Sequence, residues 1–83
     1  MDEEFFDKHI KAPFNEAWAC LTPIRDSNDE AAWQEYMNRT ETLYKRLGKA
    51  KSVREIGFLR SLYHLMIDAG KYVEEARKEN ERW

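Results

Sequence analysis

The strongest constraint on the fold is a pair of neighbouring apolar stripes in the C-terminal third of the chain. Their residues recur at alternating spacings of three and four, which is the period of an α-helix. Two adjacent stripes widen the apolar arc, so such a helix packs against two neighbours. Ser52 and Glu55 have the S-x-x-E spacing of a helix-capping box. These features predict a long central helix over about 53–80. The stripes comprise Ile56, Leu59, Tyr63, Met66, Gly70 and Val73 on one side, and Phe58, Leu62, Leu65, Ala69, Tyr72 and Ala76 on the other.

Gly70 lies within the first of these stripes, in the middle of the predicted helix. A glycine there costs about 0.8–1 kcal/mol relative to alanine, so a compensating role is expected. The favoured interpretation is that Gly70 allows another helix or a Trp ring to approach closely, and the alternative is a local hinge.

A second helix is predicted over about 28–47. The pair Ser27 and Glu30 repeats the capping-box spacing at its start. Gly48 follows its last apolar position, where we expect a left-handed glycine to close the helix. Because only residues 48–51 separate the two helices, they are expected to form an antiparallel αα-hairpin. The apolar stripe of this helix is Trp33, Tyr36, Thr40, Leu43 and Leu47.

The N-terminal third keeps a helical period, but Pro13 interrupts it. Proline removes a backbone donor and clashes with the preceding turn. Either one helix kinks near residue 12, or a short helix over about 3–11 precedes a second over about 14–22, which we prefer. Pro23 disfavours the α conformation in the residue before it, so a linker is expected over 23–26. The predicted fold is an all-α bundle of three to four helices.

Composition and cysteine usage agree with one small helical domain spanning residues 1–83. The chain is 42% hydrophobic, 13% aromatic and 36% charged, with a net charge of -2. It lacks an apolar run that could span a bilayer, and its acidic N-terminus does not resemble a secretory signal, so we expect a cytoplasmic protein with no membrane partner. Cys20 is the single cysteine and cannot form an internal disulfide. Its apolar neighbours indicate a core residue.

Motifs for catalysis or metal binding are missing from the sequence. It has no phosphate-binding glycine loop, no H-E-x-x-H and no C-x-x-C, and its two histidines are His9 and His64. His64 and Asp68 are i,i+4 partners that could perform acid–base chemistry, but a surface helix pair is the favoured interpretation. We therefore expect no catalytic residue, metal site, cofactor or small-molecule substrate.

A basic segment straddles the predicted hairpin turn. Cations at a helix C-terminus are favourable for the helix dipole, so a solvated turn is the first interpretation. The second is a surface for a phosphate backbone or an acidic protein. We call this segment the basic turn, and it consists of Lys45, Arg46, Lys49, Lys51 and Arg54.

The chain is also rich in aromatic residues, with three Trp, four Tyr and four Phe. Trp18 and Trp33 fit predicted inner faces, but the other rings exceed what a three-helix core can hide. Exposed aromatics are typical of binding hot spots in protein interfaces. The rings predicted to contact a partner are Phe5, Tyr44, Tyr72 and Trp83.

These observations lead to a functional hypothesis of a non-catalytic protein-binding module. The expected partner is a second copy of the chain, a larger protein complex, or both. Short, cysteine-poor helical chains are typical of phage-type or prophage-type regulators, including inhibitors of host systems. The alternative is a nucleic-acid-associated protein that uses the basic turn over 45–54.

Overall fold

The computed structural model describes residues 2–79, and all regular structure in that range is helical. The prediction of a small all-α bundle is confirmed. Three long helices form the bundle, preceded by a short helical segment. The elements are α1 (Glu3–Phe6), a π-helical turn (Asp7–Lys11), α2 (Ala12–Asp26), α3 (Glu30–Lys45), a 3-10 turn (Arg46–Lys49) and α4 (Val53–Glu79).

The predicted antiparallel hairpin is formed by α3 and α4. The Tyr36 hydroxyl of α3 donates to the Met66 carbonyl oxygen of α4 over 2.7 Å. Nearer the turn, the rings of Tyr44 and Tyr63 lie 4.8 Å apart between centroids. Residues later in α3 therefore contact residues earlier in α4, which is the antiparallel arrangement.

Helix α2 packs against both arms of the hairpin and runs parallel to α4. At the N-terminal ends of the two helices the rings of Phe14 and Phe58 lie 5.7 Å apart. At the C-terminal end, the Arg77 guanidinium of α4 donates to the carbonyl oxygens of Ile24 and Ser27. This guanidinium binds carbonyl groups that the end of α2 leaves without an intrahelical donor.

The core lies where the three long helices meet. Its central cluster consists of Ala17, Cys20, Leu43, Leu62 and Met66. Cys20 is 1% exposed, which confirms its prediction as a core residue. Burial raises the pKa of the Cys20 thiol, because a thiolate is poorly solvated in apolar surroundings.

Gly70 of α4 lies directly against the Tyr36 side chain of α3. A Cβ built on Gly70 would lie 2.5 Å from Cζ and 3.0 Å from Cε2 of Tyr36. The predicted role in close approach is confirmed, although the ring that occupies the space is a tyrosine. The absent side chain lets the Tyr36 hydroxyl reach the α4 backbone.

The start of α3 differs from the prediction by two residues. Asp29, rather than Ser27, caps the helix, because its carboxylate accepts from the Ala32 N–H over 2.8 Å. This bond lowers the pKa of Asp29. Ser27 instead ends α2 with an extended backbone, and its hydroxyl accepts from the Asp29 N–H over 3.2 Å.

The end of α3 also differs from the prediction. No glycine among residues 2–79 has a positive φ, so Gly48 is not a left-handed cap. The helix instead tightens into the 3-10 turn, and the Ala50 N–H donates to the Leu47 carbonyl oxygen over 3.3 Å. Bonds over a shorter span satisfy carbonyl groups at the helix end without the left-handed residue.

The predicted linker over 23–26 is wrong, because α2 continues through Pro23 to Asp26. A proline in this position removes the N–H that would bond the Ala19 carbonyl group. That carbonyl oxygen accepts instead from Arg39 Nη1 over 2.8 Å and from Thr22 Oγ1 over 3.0 Å. A tertiary hydrogen bond from α3 thus replaces the one that Pro23 cannot make.

The interruption predicted at Pro13 is a change of hydrogen-bond register. Pro13 lies in the first turn of α2, where its missing N–H is tolerated. The preceding π turn bonds the Ala12 N–H to the Asp7 carbonyl oxygen, five residues back. The backbone stays in the right-handed α region through Lys11 and Ala12, so the two predicted pieces join without a break.

Candidate functional site

Helices α2 and α4 each leave a row of apolar side chains exposed, and the two rows meet where Phe14 contacts Phe58. Phe14 is 50% exposed and Trp18 59%, while Leu65 and Tyr72 of α4 are 54% and 65% exposed. Phe58 is half-buried and joins the two rows through its ring contact with Phe14. Residues four or seven apart share one side of a helix, so each row is continuous. We call these five residues the aromatic face.

The aromatic face is comparable in size with the largest apolar patch of a typical monomer. Each aromatic side chain carries about 150–250 Å² of surface, so these fractions leave roughly 450 Å² of apolar area in contact with water. The largest apolar patch on a typical monomer is about 300–600 Å² and is often functional. The aromatic face is therefore a candidate binding surface.

The four rings predicted to meet a partner do not form one surface. Tyr72 belongs to the aromatic face. Tyr44 is 53% exposed but lies on the α3–α4 side, against the ring of Tyr63. Phe5 lies in α1 and is 45% exposed. Trp83 lies outside the described residues.

Trp18 is exposed, so the inner position predicted for it is wrong. Trp33, which was also predicted to face inward, is half-buried. The Trp33 indole N–H donates to Asn28 Oδ1 over 2.9 Å, and its ring stands edge-on to Tyr36. The apolar stripe of α2 is wider than the core that it meets, and it consists of Phe14, Ala17, Trp18 and Leu21. Small side chains such as Ala17 occupy the contact between α2 and the core, and Trp18 lies at the edge of that contact. The width of that stripe was the available signal for an outward face.

Two cations of the basic turn are engaged in ion pairs within the chain. Arg46 Nε lies 2.5 Å from Glu16 Oε2 of α2, and Lys45 Nζ lies 3.7 Å from Glu41 Oε1. The first pair ties the end of α3 to α2. The remaining cations are exposed and make no ion pair with residues 2–79: Lys49, Lys51 and Arg54.

A groove of about 660 Å³ opens beside the basic turn, where α2 meets the ends of the hairpin. Glu16 and Glu55 contribute carboxylates to its wall. Glu55 is partly occupied in capping, since it accepts from the Lys51 N–H over 3.2 Å, while the Glu55 N–H donates to Ser52 Oγ over 3.1 Å. The groove is therefore mixed in charge, with cations supplied by Lys8, Lys45, Arg46 and Lys49.

The candidates for chemistry do not lie together: His9 lines the groove beside the basic turn, whereas His64 and Asp68 do not. His64 and Asp68 are both exposed, and no ion pair joins them in the described part of the chain. His9 is exposed and packs against Phe5 at 4.5 Å between ring centroids. Within residues 2–79 no three potential metal ligands lie together.

None of the helices described here contains a segment of sufficient length and apolarity to cross a membrane. No protein-family model, curated protein or solved structure matches the chain.

Proposed function

We propose that the chain is a non-catalytic protein-binding module that docks onto a protein through its aromatic face. The observation that carries this proposal is the exposure of Phe14, Trp18, Leu65 and Tyr72 on the adjoining helices α2 and α4. Keeping these side chains in water is unfavourable by about 25 cal/mol per Å² of apolar surface. A partner that covers the face removes this cost.

The residue types support a protein partner. Trp and Tyr are enriched in interface hot spots, where truncation of one ring costs 2 kcal/mol or more, about a thirtyfold loss of affinity. Ser61 and Asp68 lie beside the apolar row of α4 and are exposed. This resembles the usual arrangement of an apolar centre with a polar rim.

The test compares a Trp18→Ser/Leu65→Ser variant with the wild-type chain in affinity capture from cells that express it naturally. Both residues are more than half exposed, so the substitutions should leave the fold intact, as checked by thermal unfolding. The matched control is Met37→Ser on α3, since Met37 is 60% exposed away from the aromatic face. Loss of a captured protein in the double variant alone supports the proposal. Equal capture by all three chains contradicts it.

Within this class we propose a regulator of phage or prophage type that acts in the cytoplasm, for instance by inhibiting a host complex. The support is the short chain, its three-helix architecture and its single buried cysteine. Identification of the captured partner as a component of a host enzyme complex, with loss of that activity on addition of the chain, would establish the role. A partner with no such activity would exclude it.

The alternative is nucleic-acid binding by the basic turn, favoured by the exposure of Lys49, Lys51 and Arg54 at one end of the bundle. The pairing of Arg46 with Glu16 and of Lys45 with Glu41 weakens it, because two of the five cations are already neutralised. Replacing all five cations by Gln should abolish binding to duplex DNA or RNA at low salt if this alternative holds. Undetectable binding of the wild-type chain at low salt would exclude it.

A further inference from the structure

We propose that the occupant of the aromatic face is a second copy of this chain, bound through an antiparallel pairing of the two α4 helices centred on Leu65. The inference rests on the proposed docking role of the aromatic face. The order of residues along α4 indicates both the partner and the register in which the two helices pair.

The apolar row of α4 is symmetric about Leu65. Phe58 and Tyr72 lie seven residues before and after it, a spacing of two helical turns. In an antiparallel pair centred on Leu65, each Phe58 faces Tyr72 of the second copy, and the two Leu65 side chains meet on the dyad. Ser61 and Ala69, four residues to either side, provide small side chains between these contacts. Such a self-complementary row suits an isologous twofold interface, in which the same patch serves both subunits.

The charges beside this row select the antiparallel direction. Arg54 lies at the N-terminal end of α4 and Glu75 near its C-terminal end, eleven and ten residues from Leu65. Both are exposed, and neither takes part in an ion pair with another described residue. Antiparallel pairing brings Arg54 of each copy to Glu75 of the other, which gives two ion pairs. Parallel pairing would instead place Arg54 against Arg54, and like charges would repel.

The available area matches what a dimer of modest size needs. A standard interface removes about 800 Å² from each partner, and about 56–65% of that is apolar. The roughly 450 Å² of exposed apolar surface on the aromatic face, about half of it on Phe14 and Trp18 of α2, is the apolar share of such an interface, so the α2 rings join the α4–α4 contact. Helix α4 has 27 residues and is about 40 Å long, so the paired segment from Arg54 to Glu75 fits within it.

The α3–α4 side offers a poorer match. Its exposed apolar residues are Met37 and Tyr44, and the Tyr44 ring already packs on Tyr63. The cleft there has a volume of about 280 Å³, and Gln34, Asn38 and Glu41 contribute to its wall. This side lacks the symmetric arrangement of apolar and charged residues found along α4.

The test is a charge exchange measured by sedimentation equilibrium at low salt. Arg54→Glu and Glu75→Arg each convert both ion pairs of the homodimer into like-charge pairs, so each variant alone should dimerise at least about tenfold more weakly. An equimolar mixture of the two variants restores both attractive pairs and should form a heterodimer close to wild-type affinity. The control Arg60→Glu makes the same charge change about 200° around the helix from Phe58 and should leave dimerisation unchanged.

A second measurement covers the case in which a charge variant fails to fold. Leu65→Cys should form a disulfide-linked dimer under mild oxidation, because Leu65 meets its own copy on the dyad within the reach of a disulfide. The native Cys20 is 1% exposed and should not compete. Met37→Cys on α3 should remain largely unlinked.

The proposal is supported if each single variant dimerises more weakly than the wild-type chain and the equimolar mixture of the two regains close to wild-type affinity. A wild-type chain that stays monomeric at all concentrations overturns it, and so does a dimer in which the mixture is no tighter than either variant alone. The docking role fails separately, if the Trp18→Ser/Leu65→Ser variant captures the same proteins as the wild-type chain. A monomer whose captured protein depends on the aromatic face would therefore retain the proposed function and lose only the second copy as partner.

Discussion

Two glycines of α4 provide a direct test of how the hairpin packs. Gly57 is exposed, and a Cβ built there meets no atom within 4 Å. Gly70 is buried, and a Cβ there would lie 2.5 Å from Cζ of Tyr36. Both lie within the same helix, so Gly57→Ala and Gly70→Ala share the same gain in helix propensity.

The expected changes in the free energy of unfolding have opposite signs for the two variants. Gly57→Ala should stabilise the fold by about 0.8–1 kcal/mol, the propensity difference alone. Gly70→Ala gains the same amount but displaces the Tyr36 ring, at a cost of about 1–3 kcal/mol for overpacking. It also breaks the buried hydrogen bond to the Met66 carbonyl, worth about 1 kcal/mol. The net change for Gly70→Ala is a destabilisation of about 1–3 kcal/mol.

The assay is urea unfolding followed by far-UV circular dichroism at one fixed protein concentration, because self-association would raise the apparent stability. For a chain of this size, 1 kcal/mol corresponds to about 4–8 °C in Tm, so thermal unfolding should rank the variants in the same order. In a Tyr36→Leu background, Gly70→Ala should lose most of its cost, with a coupling of about 1 kcal/mol or more. A Gly70→Ala chain as stable as Gly57→Ala would refute the packing described for Tyr36.

Two further predictions concern stability. Arg39→Met should destabilise the chain by about 1–2 kcal/mol, since it removes the α3 donor to the Ala19 carbonyl oxygen. The loss of stability should be smaller in a Pro23→Ala background, because the introduced alanine supplies a backbone donor to the same carbonyl group. An equal loss in both backgrounds would contradict this role of Arg39. Burial raises the pKa of both Cys20 and Tyr36, so the folded chain holds these protons more tightly than the unfolded chain. The urea midpoint should therefore be constant near neutral pH and fall as the pH rises above about 8.5, whereas a flat or rising midpoint up to pH 10.5 would contradict the burial of these groups.

The helical periodicity of the sequence predicted most of the fold. The paired stripes predicted α4, its antiparallel hairpin with α3 and the close approach at Gly70, because helical period and glycine content are local properties. The capping-box spacing predicted Ser27 as the cap of α3, which is wrong. Ser27 and Asp29 both have capping side chains, and the carboxylate of Asp29 is the one that reaches an N–H of the first turn.

The remaining differences arise from contacts between residues distant in sequence. Pro23 was predicted to end α2, and the helix continues because Arg39 of α3, together with Thr22, donates to the Ala19 carbonyl oxygen. The outward position of Trp18 depends on which part of the α2 stripe faces α4, which a periodic pattern does not specify. Tyr72 was correctly placed outside the core, because the second stripe of α4 exceeds what two neighbours can cover.

The docking role of the aromatic face is tested most directly by hydroxyl-radical footprinting of the chain in dilute solution and in its native cell extract. Trp18 and Tyr72 on this face are 59% and 65% exposed, and Met37 and Tyr44 on the α3–α4 side are 60% and 53% exposed. We expect oxidation of Trp18 and Tyr72 to fall several-fold in the extract, while that of Met37 and Tyr44 stays unchanged relative to dilute solution. Equal protection of all four residues, or protection of Met37 and Tyr44 alone, would contradict the assignment of the aromatic face as the docking surface.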